Sequence, residues 1–335
     1  MKPILSLLSP AGPQARLTVL IFHRVLAAPD ALFPDEVDAR RFEQICSWVR
    51  QWLDVMPLAD AVRRLRAGTL PARAAAITFD DGYRDNHDVA LPILQRHGLC
   101  ATFFVATGYT AGACMWNDVV IESLRKSLLP RLDLAAAADG LPAVELGSTA
   151  QRRHAIDAVL RQLKYRPVPE RDAAVARISR LAGVAEPAHV MMSAQQLVAM
   201  RRAGMQIGAH TVSHPILATL ARADARAEIA QSKQFLEHLL GEPVPLFAYP
   251  NGKPATDFNA ESSEIVRELG FEAAVTTCPG AASHATDSFS IPRFTPWDTR
   301  RLRFGLRLAT NLRKAVASPA AAGNAAASHV RGKPA

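Results

Sequence analysis

The feature that most constrains this chain is an alternation. Short apolar, β-prone runs recur at residues 17–22, 74–77, 101–106, 205–209, 246–249, 271–276 and 289–294, and stretches with helical spacing of apolar residues separate most of them. Runs without polar alternation fit strands buried on both faces, and strand, helix, strand in succession predicts parallel βαβ units. Phe42, Ile45, Cys46, Val49, Trp52 and Leu53 make one such helical face, and further helices are expected at 58–67, 85–97, 194–203, 222–240 and 262–269. The fold class that follows is α/β, with the strands curling into a (β/α) barrel.

Residues 112–192 interrupt the pattern with alanine- and arginine-rich amphipathic helices, notably 118–129 and 149–163, and with few strand signals. They read as a helical insertion. It carries no acid, base or ligand motif, so a scaffold role is preferred over a lid. Residues 1–16 read as a loose leader, 17–318 as one domain, and the Ala-, Gly- and Ser-rich stretch 319–335 as a disordered tail. The basic segment 300–316 reads as a helix with Leu302, Leu306, Ala309 and 312–316 on one side. Packing on the barrel is its first reading, and peripheral docking on an anionic membrane its second.

Two motifs carry chemistry. Thr78-Phe79-Asp80-Asp81-Gly82 follows a buried run and precedes a helix. At a strand end, one carboxylate of such a pair can bind a cation while the other takes a proton, whereas an isolated Asp-Gly more often only marks a turn. His210-Thr211-Val212-Ser213-His214-Pro215 follows the run at 205–209. Two imidazoles four residues apart can face one ion if the backbone turns tightly. With Asp81 they offer two nitrogens and one oxygen, leaving a position open as in catalytic zinc sites.

These motifs, with Phe247-Ala248-Tyr249-Pro250-Asn251-Gly252, resemble the three leading motifs of the NodB-homology polysaccharide deacetylases, carbohydrate esterase family four, over about residues 17–297. The third motif has the form found in the branch that includes biofilm poly-N-acetylglucosamine deacetylases. The resemblance implies a deformed (β/α)7-type barrel and a divalent metal, zinc by donor type, on Asp81, His210 and His214, with Asp80 as general base. It also places the Asn251 N–H in the oxyanion hole, although many relatives have tyrosine there. Where many relatives carry an arginine this chain has Ala248, and Arg293 is typed to take its place beside Asp80. Tyr249 and Trp297 are candidates for stacking on a sugar, core packing being the commoner fate of such aromatics. The general acid histidine usually lies near the C-terminal end of the domain. Here His284 and His329 lack a preceding strand, while His23 follows one directly and resembles the N-terminal histidine of the circularly permuted branch.

The function implied is metal-dependent removal of N-acetyl groups from N-acetylhexosamine units of a glycan. Hydrolysis of another C–N or ester bond, and glycan binding without catalysis, are the alternatives. A net charge of +8 raises nucleic acid as a partner, but no recognition motif accompanies the dispersed arginines, so none is expected. Cys46, Cys100, Cys114 and Cys278 are far apart and read as buried free thiols. No run approaches membrane-spanning length and the apolar start is short for a secretory signal, so the expected location is cytoplasmic.

Overall fold

The computed structural model describes residues 1–314, so the expected tail, His329 and the end of the 300–316 helix fall outside the described residues. The N-terminus corrects the loose-leader expectation. Helix α1 (Lys2–Leu8) buries Leu5 completely, and Ser9 Oγ both donates to Arg16 O and accepts from Arg16 N–H at 3.0 Å. So short a helix does not persist alone. Burying one leucine contributes about 1.5–3 kcal/mol and anchors it.

Strand β1 (Thr18–Phe22) is buried throughout. It is followed by α2 (Ala39–Trp52), capped by Asp38 through the Arg41 N–H, then by β2 (Asp54–Val55), α3 (Leu58–Arg66) and β3 (Ala74–Phe79). The helix expected over 85–97 opens with a π turn at Asn86–Ala90 before α4 (Leu91–Arg96). Pro92 has no N–H to give to the preceding turn and its ring needs room, which a wider turn supplies. Next come β4 (Thr102–Val105) and the insertion, with α5 (Trp116–Lys126), β5 (Arg131–Asp133), β6 (Ala143–Glu145), α6 (Thr149–Leu163) and α7 (Val168–Ala182). Its antiparallel β5–β6 hairpin, pairing Arg131 with Glu145, has no counterpart in the sequence reading. Val120, Leu124, Ile156, Val159 and Ile178 give the insertion its own core.

The barrel resumes with α8 (Ala194–Arg202), β7 (Gln206–Ala209), α9 (Arg222–Leu240), β8 (Leu246–Ala248), α10 (Ala260–Glu268) and β9 (Ala273–Val275). Strand order is β1-β3-β4-β7-β8-β9, all parallel, with β2 also on β3. The strand expected at 289–294 is reduced to two parallel bridges, Val275 with Ile291 and Leu20 with Phe294. Pro292 between them lacks a ladder donor. These bridges join the two edges of the curled sheet, giving a deformed barrel of seven staves with helices around it.

Alternate residues of the strands face two cores. Phe22, Phe79, Phe103, Ile207 and Phe247 meet the helices, while Val19, Ala76, Phe104, Leu246, Ala248 and Val275 fill the interior together with residues of α3. The Phe104 ring occupies the space at Gly208, where a Cβ would sit 2.5 Å from it. At the start of the strands α3 closes the barrel, its Ala59 N–H donating to Gln206 Oε1 at 3.2 Å and Arg66 Nη2 to Glu272 O at 3.1 Å. The opposite ends of the strands stay open for the site.

Helix α11 (Arg301–Arg313) corrects the expected stripe. Phe304, Leu308 and Leu312 are buried, and Leu302 and Leu306 face outward. Phe304, packed against Trp48, Trp52 and Phe294, is the larger apolar body and decides which face turns in. All four cysteines are free, but only Cys46 is buried. Among the described residues no helix is long and apolar enough to cross a membrane.

Candidate active site

The strand ends bring the motif residues together. β3 delivers Asp80 into the barrel mouth, where it is 2% exposed. Arg293, also buried, grips it in a bidentate pair, Nη1 to Oδ1 at 2.7 Å and Nη2 to Oδ2 at 2.6 Å. The guanidinium is itself fixed, since Nε donates to Thr276 O at 2.8 Å and Nη1 to Thr78 Oγ1 at 3.2 Å. Burial pushes the Asp80 carboxyl up, but the Arg293 charge and hydrogen bonds outweigh it and hold the group below the usual carboxylate range. Arg293 thus stands beside Asp80 as its type led one to expect, and it is not among the residues that line the cleft.

Asp81 turns the other way because its backbone is left-handed, φ 74°, followed by Gly82 at φ 88°. Its Oδ1 lies 3.4 Å from His210 Nε2 and 3.4 Å from His214 Nε2. Burial raises the Asp81 carboxyl, and the facing imidazoles more than reverse that shift. The His210 Nδ1–H donates to Ala248 O at 2.7 Å, which fixes the tautomer and leaves Nε2 free for an ion. Burial lowers His214 to about 4, with Asp81 opposing and His210 adding to the shift, so its ring is neutral at pH 7. One donor atom from each of the three residues lies within 4.8 Å of the others. Two imidazole nitrogens and a carboxylate oxygen suit a zinc-like ion with one position open.

The segment joining the two histidines is a turn, with Thr211 at φ 66° and His214 at φ 54°. Glu228 on α9 holds it, accepting from Val212 N at 2.8 Å, Ser213 N at 2.9 Å and Ser213 Oγ at 2.6 Å. Tyr109 braces it from the other side by donating to Ser213 O at 3.0 Å. Sequence reasoning missed Glu228, whose place in an amphipathic helix carries no motif signal.

A cleft of about 310 Å3 opens over these groups, and His23, Asp80, Asp81, His210, His214 and Asn251 all line it. His23 is exposed at the end of β1, and its carbonyl accepts from Asn86 Nδ2 at 2.9 Å. His284 is exposed in a loop and does not line the cleft. Asn251 is left-handed at φ 59°, and its carbonyl accepts from Thr277 Oγ1 at 2.8 Å.

The two aromatics expected to stack on a sugar do not line the cleft. Tyr249 is fully buried, stacked on Phe258 at 3.8 Å, with its hydroxyl near Ser263 Oγ and Phe289 O at 3.1 Å. Strand β8 points it outward to the helices, away from the mouth. Trp297 is 64% exposed but outside the cleft lining, with the Arg307 guanidinium 4.9 Å from its ring centroid. The insertion, expected as scaffold, instead contributes one wall of the cleft, including Trp116, Arg161, Lys164 and Arg171.

With this geometry in view, the polysaccharide deacetylase family profile matches residues 67–135 and 173–274, just over half of the chain. The chain belongs to the polysaccharide deacetylase family. The matched segments hold Asp80, Asp81, His210, His214 and Asn251, while His23 and Arg293 lie outside them. Among polysaccharide deacetylase relatives, YxkH of Bacillus subtilis is 20% identical over 281 residues, 83% of this chain and 71% of YxkH. The Streptococcus pyogenes deacetylase PplD, solved with acetate, superposes with a TM-score of 0.60 at 19% identity, covering 90% of this chain and 99% of PplD. IcaB from Ammonifex degensii gives 0.56 at 18% identity, covering 91% and 99%. At these identities the structural likeness establishes the shared fold.

Proposed function

We propose that this polysaccharide deacetylase removes N-acetyl groups from N-acetylhexosamine units of a glycan or its precursor, with a divalent cation, zinc by donor type, held by Asp81, His210 and His214. The observation that carries the reading is the convergence of those three donors beside a buried carboxylate that is paired with Arg293. When bound, the cation would supply Lewis acidity, lowering the pKa of a water and polarising the acetyl carbonyl. Asp80 accepts the water's proton. Arg293 makes it a weaker base but keeps it ionised and fixed in plane, and each oxygen retains a lone pair beyond the ion pair. The Asn251 N–H, which has no acceptor among the described residues, is available to the tetrahedral oxyanion. His23, on the open side of the cleft, protonates the departing amine.

The test is acetate release from a set of N-acetylated oligosaccharides by metal-stripped and zinc-reconstituted protein. Release that is independent of metal, or confined to O-acetyl esters, would favour ester or other C–N hydrolysis on the same scaffold. Release from none, with binding retained, would favour a glycan-binding role. His23→Ala should lower turnover while metal content stays stoichiometric; an unaltered rate beside an inactive His284→Ala enzyme would remove His23 from the mechanism.

A peripheral contact with anionic lipid is also proposed for α11. Its outward Leu302 and Leu306 stand beside the exposed Arg301 and Arg303, a charge pattern that complements acidic headgroups, while Arg307 is held by Asp298. Cosedimentation with phosphatidylglycerol vesicles but not phosphatidylcholine vesicles is expected, and equal recovery with both would end this reading. A cytoplasmic location is carried forward on the same footing, to be checked by fractionation.

A further inference from the structure

The cleft over Asp80 and Asp81 has two unlike walls. On the barrel side each carboxylate is engaged, Asp80 by Arg293 and Asp81 by the two histidines. On the insertion side the lining carries Arg161, Lys164 and Arg171, with no carboxylate among the lining residues there. Arg171 is the decisive one. It is 3% exposed, yet it lines the cleft. Its Nε donates to Asp172 Oδ1 at 3.1 Å and its guanidinium stands 5.1 Å from the Trp116 ring centroid. No described residue accepts a hydrogen bond from its two terminal amino groups. These amino groups are not among the buried side-chain atoms cut off from solvent without a partner, so they reach the cleft, and their planar fork matches a carboxylate or a phosphate. Lys164 adds to the field from the end of α6: burial pulls its ammonium below the usual lysine range, Asp257 opposing and Lys253 reinforcing the shift.

All three cations fall in residues 136–172, which lie between the two segments that match the family profile. The three cations thus lie outside what the family profile matches, while Trp116 on the same wall lies inside it. At about 310 Å3 the cleft is at the small end for a ligand site, so a group held on this wall sits within about one sugar unit of the metal donors.

We propose that the insertion wall is an anion subsite, and that the substrate glycan carries a carboxylate or phosphate on or next to the N-acetylhexosamine, held by Arg171 and Lys164 with Trp116 backing the guanidinium. The proposal rests on the deacetylase reading for an N-acetylated glycan as ligand, but not for its turnover. The subsite works by charge, so it favours acidic over neutral chains and weakens with salt.

The experiment uses the zinc-loaded full chain and three N-acetylated oligosaccharides of equal length, one neutral, one with uronate units and one with phosphodiester links. Acetate release gives kcat/KM, and calorimetry on the Asp80→Asn protein gives affinity without turnover. An acidic oligosaccharide should have a KM lower by about tenfold or more, with the advantage shrinking at high salt. The uronate and phosphodiester arms separate the two sources of charge. Arg171→Gln should reduce the acidic-to-neutral ratio of kcat/KM by about tenfold. Because Arg171 is buried, Lys164→Gln and the exposed Arg161→Gln are read in parallel with thermal unfolding, and each should lower the same ratio. Calorimetric preference for the acidic chain, lost in these variants, supports the subsite even if no acetate is released, in which case the deacetylase reading alone fails. Acetate from all three substrates with equal KM, unmoved by salt or by the variants, overturns the subsite and leaves the deacetylase reading standing.

Discussion

The barrel and the insertion share one cleft and hold their charges differently. On the barrel side Asp80 is locked to Arg293, His210 is anchored on Ala248 O, and the turn carrying His214 is tied down by Glu228. On the insertion side Arg161 and Lys164 make no described salt bridge, and Arg171 is paired through Nε alone. Groups that must stay ionised and oriented during bond cleavage gain from partners fixed in advance by strand ends. Groups that recognise a ligand gain from donors kept unspent until it arrives. On the proposed reading, chemistry and selectivity are carried by separate layers of the molecule, and each layer can be attacked alone.

The largest effect is expected inside the barrel layer. His214→Ala should lose stoichiometric metal and nearly all acetate release, whereas Asp80→Asn should keep the metal and lose about 10²–10⁴ in turnover. Equal loss of metal in both would mean that the two adjacent aspartates are not divided between ligand and base. Next comes the ion pair. Arg293→Met leaves Asp80 buried without its partner and should cost about 3–5 kcal/mol of stability at neutral pH. The sign is set by the depressed Asp80 pKa. In the native protein the pair stabilises above the unfolded carboxylate pKa of about 3.9 and that contribution fades as pH falls through the lower folded value. In the variant an unpaired buried carboxylate is penalised instead as pH rises. Urea unfolding from pH 4 to pH 8 would check this, and parallel curves for the two proteins would contradict it. The smallest effect on the chemistry is expected from the insertion core. Ile156→Ala should remove about 2–5 kcal/mol of local stability, seen as faster amide exchange in α5, α6 and α7, while metal content and strand protection hold. Loss of metal in this variant would show that the two layers are not separable.

Much of the barrel layer was legible because its signals are local. A buried run ending in Asp80-Asp81-Gly82, and another ending in the His210 to His214 turn, each state their place on a strand end within a few residues. What escaped the sequence depends on partners far away along the chain. Glu228 acts on residues 15 and 16 positions earlier through a helix face that looks like any other. Tyr249 was read toward the sugar because nothing local tells which side of β8 it occupies; pairing of β8 with its neighbours decides that. The insertion showed helices but not the face they turn to the cleft, since amphipathic spacing separates buried from exposed without naming what is buried against. The short N-terminal helix was missed because what holds it, the burial of Leu5 with Met1 and Leu8 at its sides and the Arg73 hydrogen bond to Ser6, is made with residues far along the chain.

The thin seventh stave has a kinetic consequence. Its two bridges, at Ile291 and Phe294, flank Arg293, so the cation that governs Asp80 is carried by a segment tied to each neighbouring strand through one bridge of two backbone hydrogen bonds. Warming should open this seam by local fluctuation before the remaining six strands part. Turnover would then fade over a temperature range in which near-ultraviolet circular dichroism still reports an intact interior, and it would return on cooling. A tighter tie across the seam should close that gap between inactivation and melting, making the durability of the catalyst a property of one closing segment and not of the barrel as a whole.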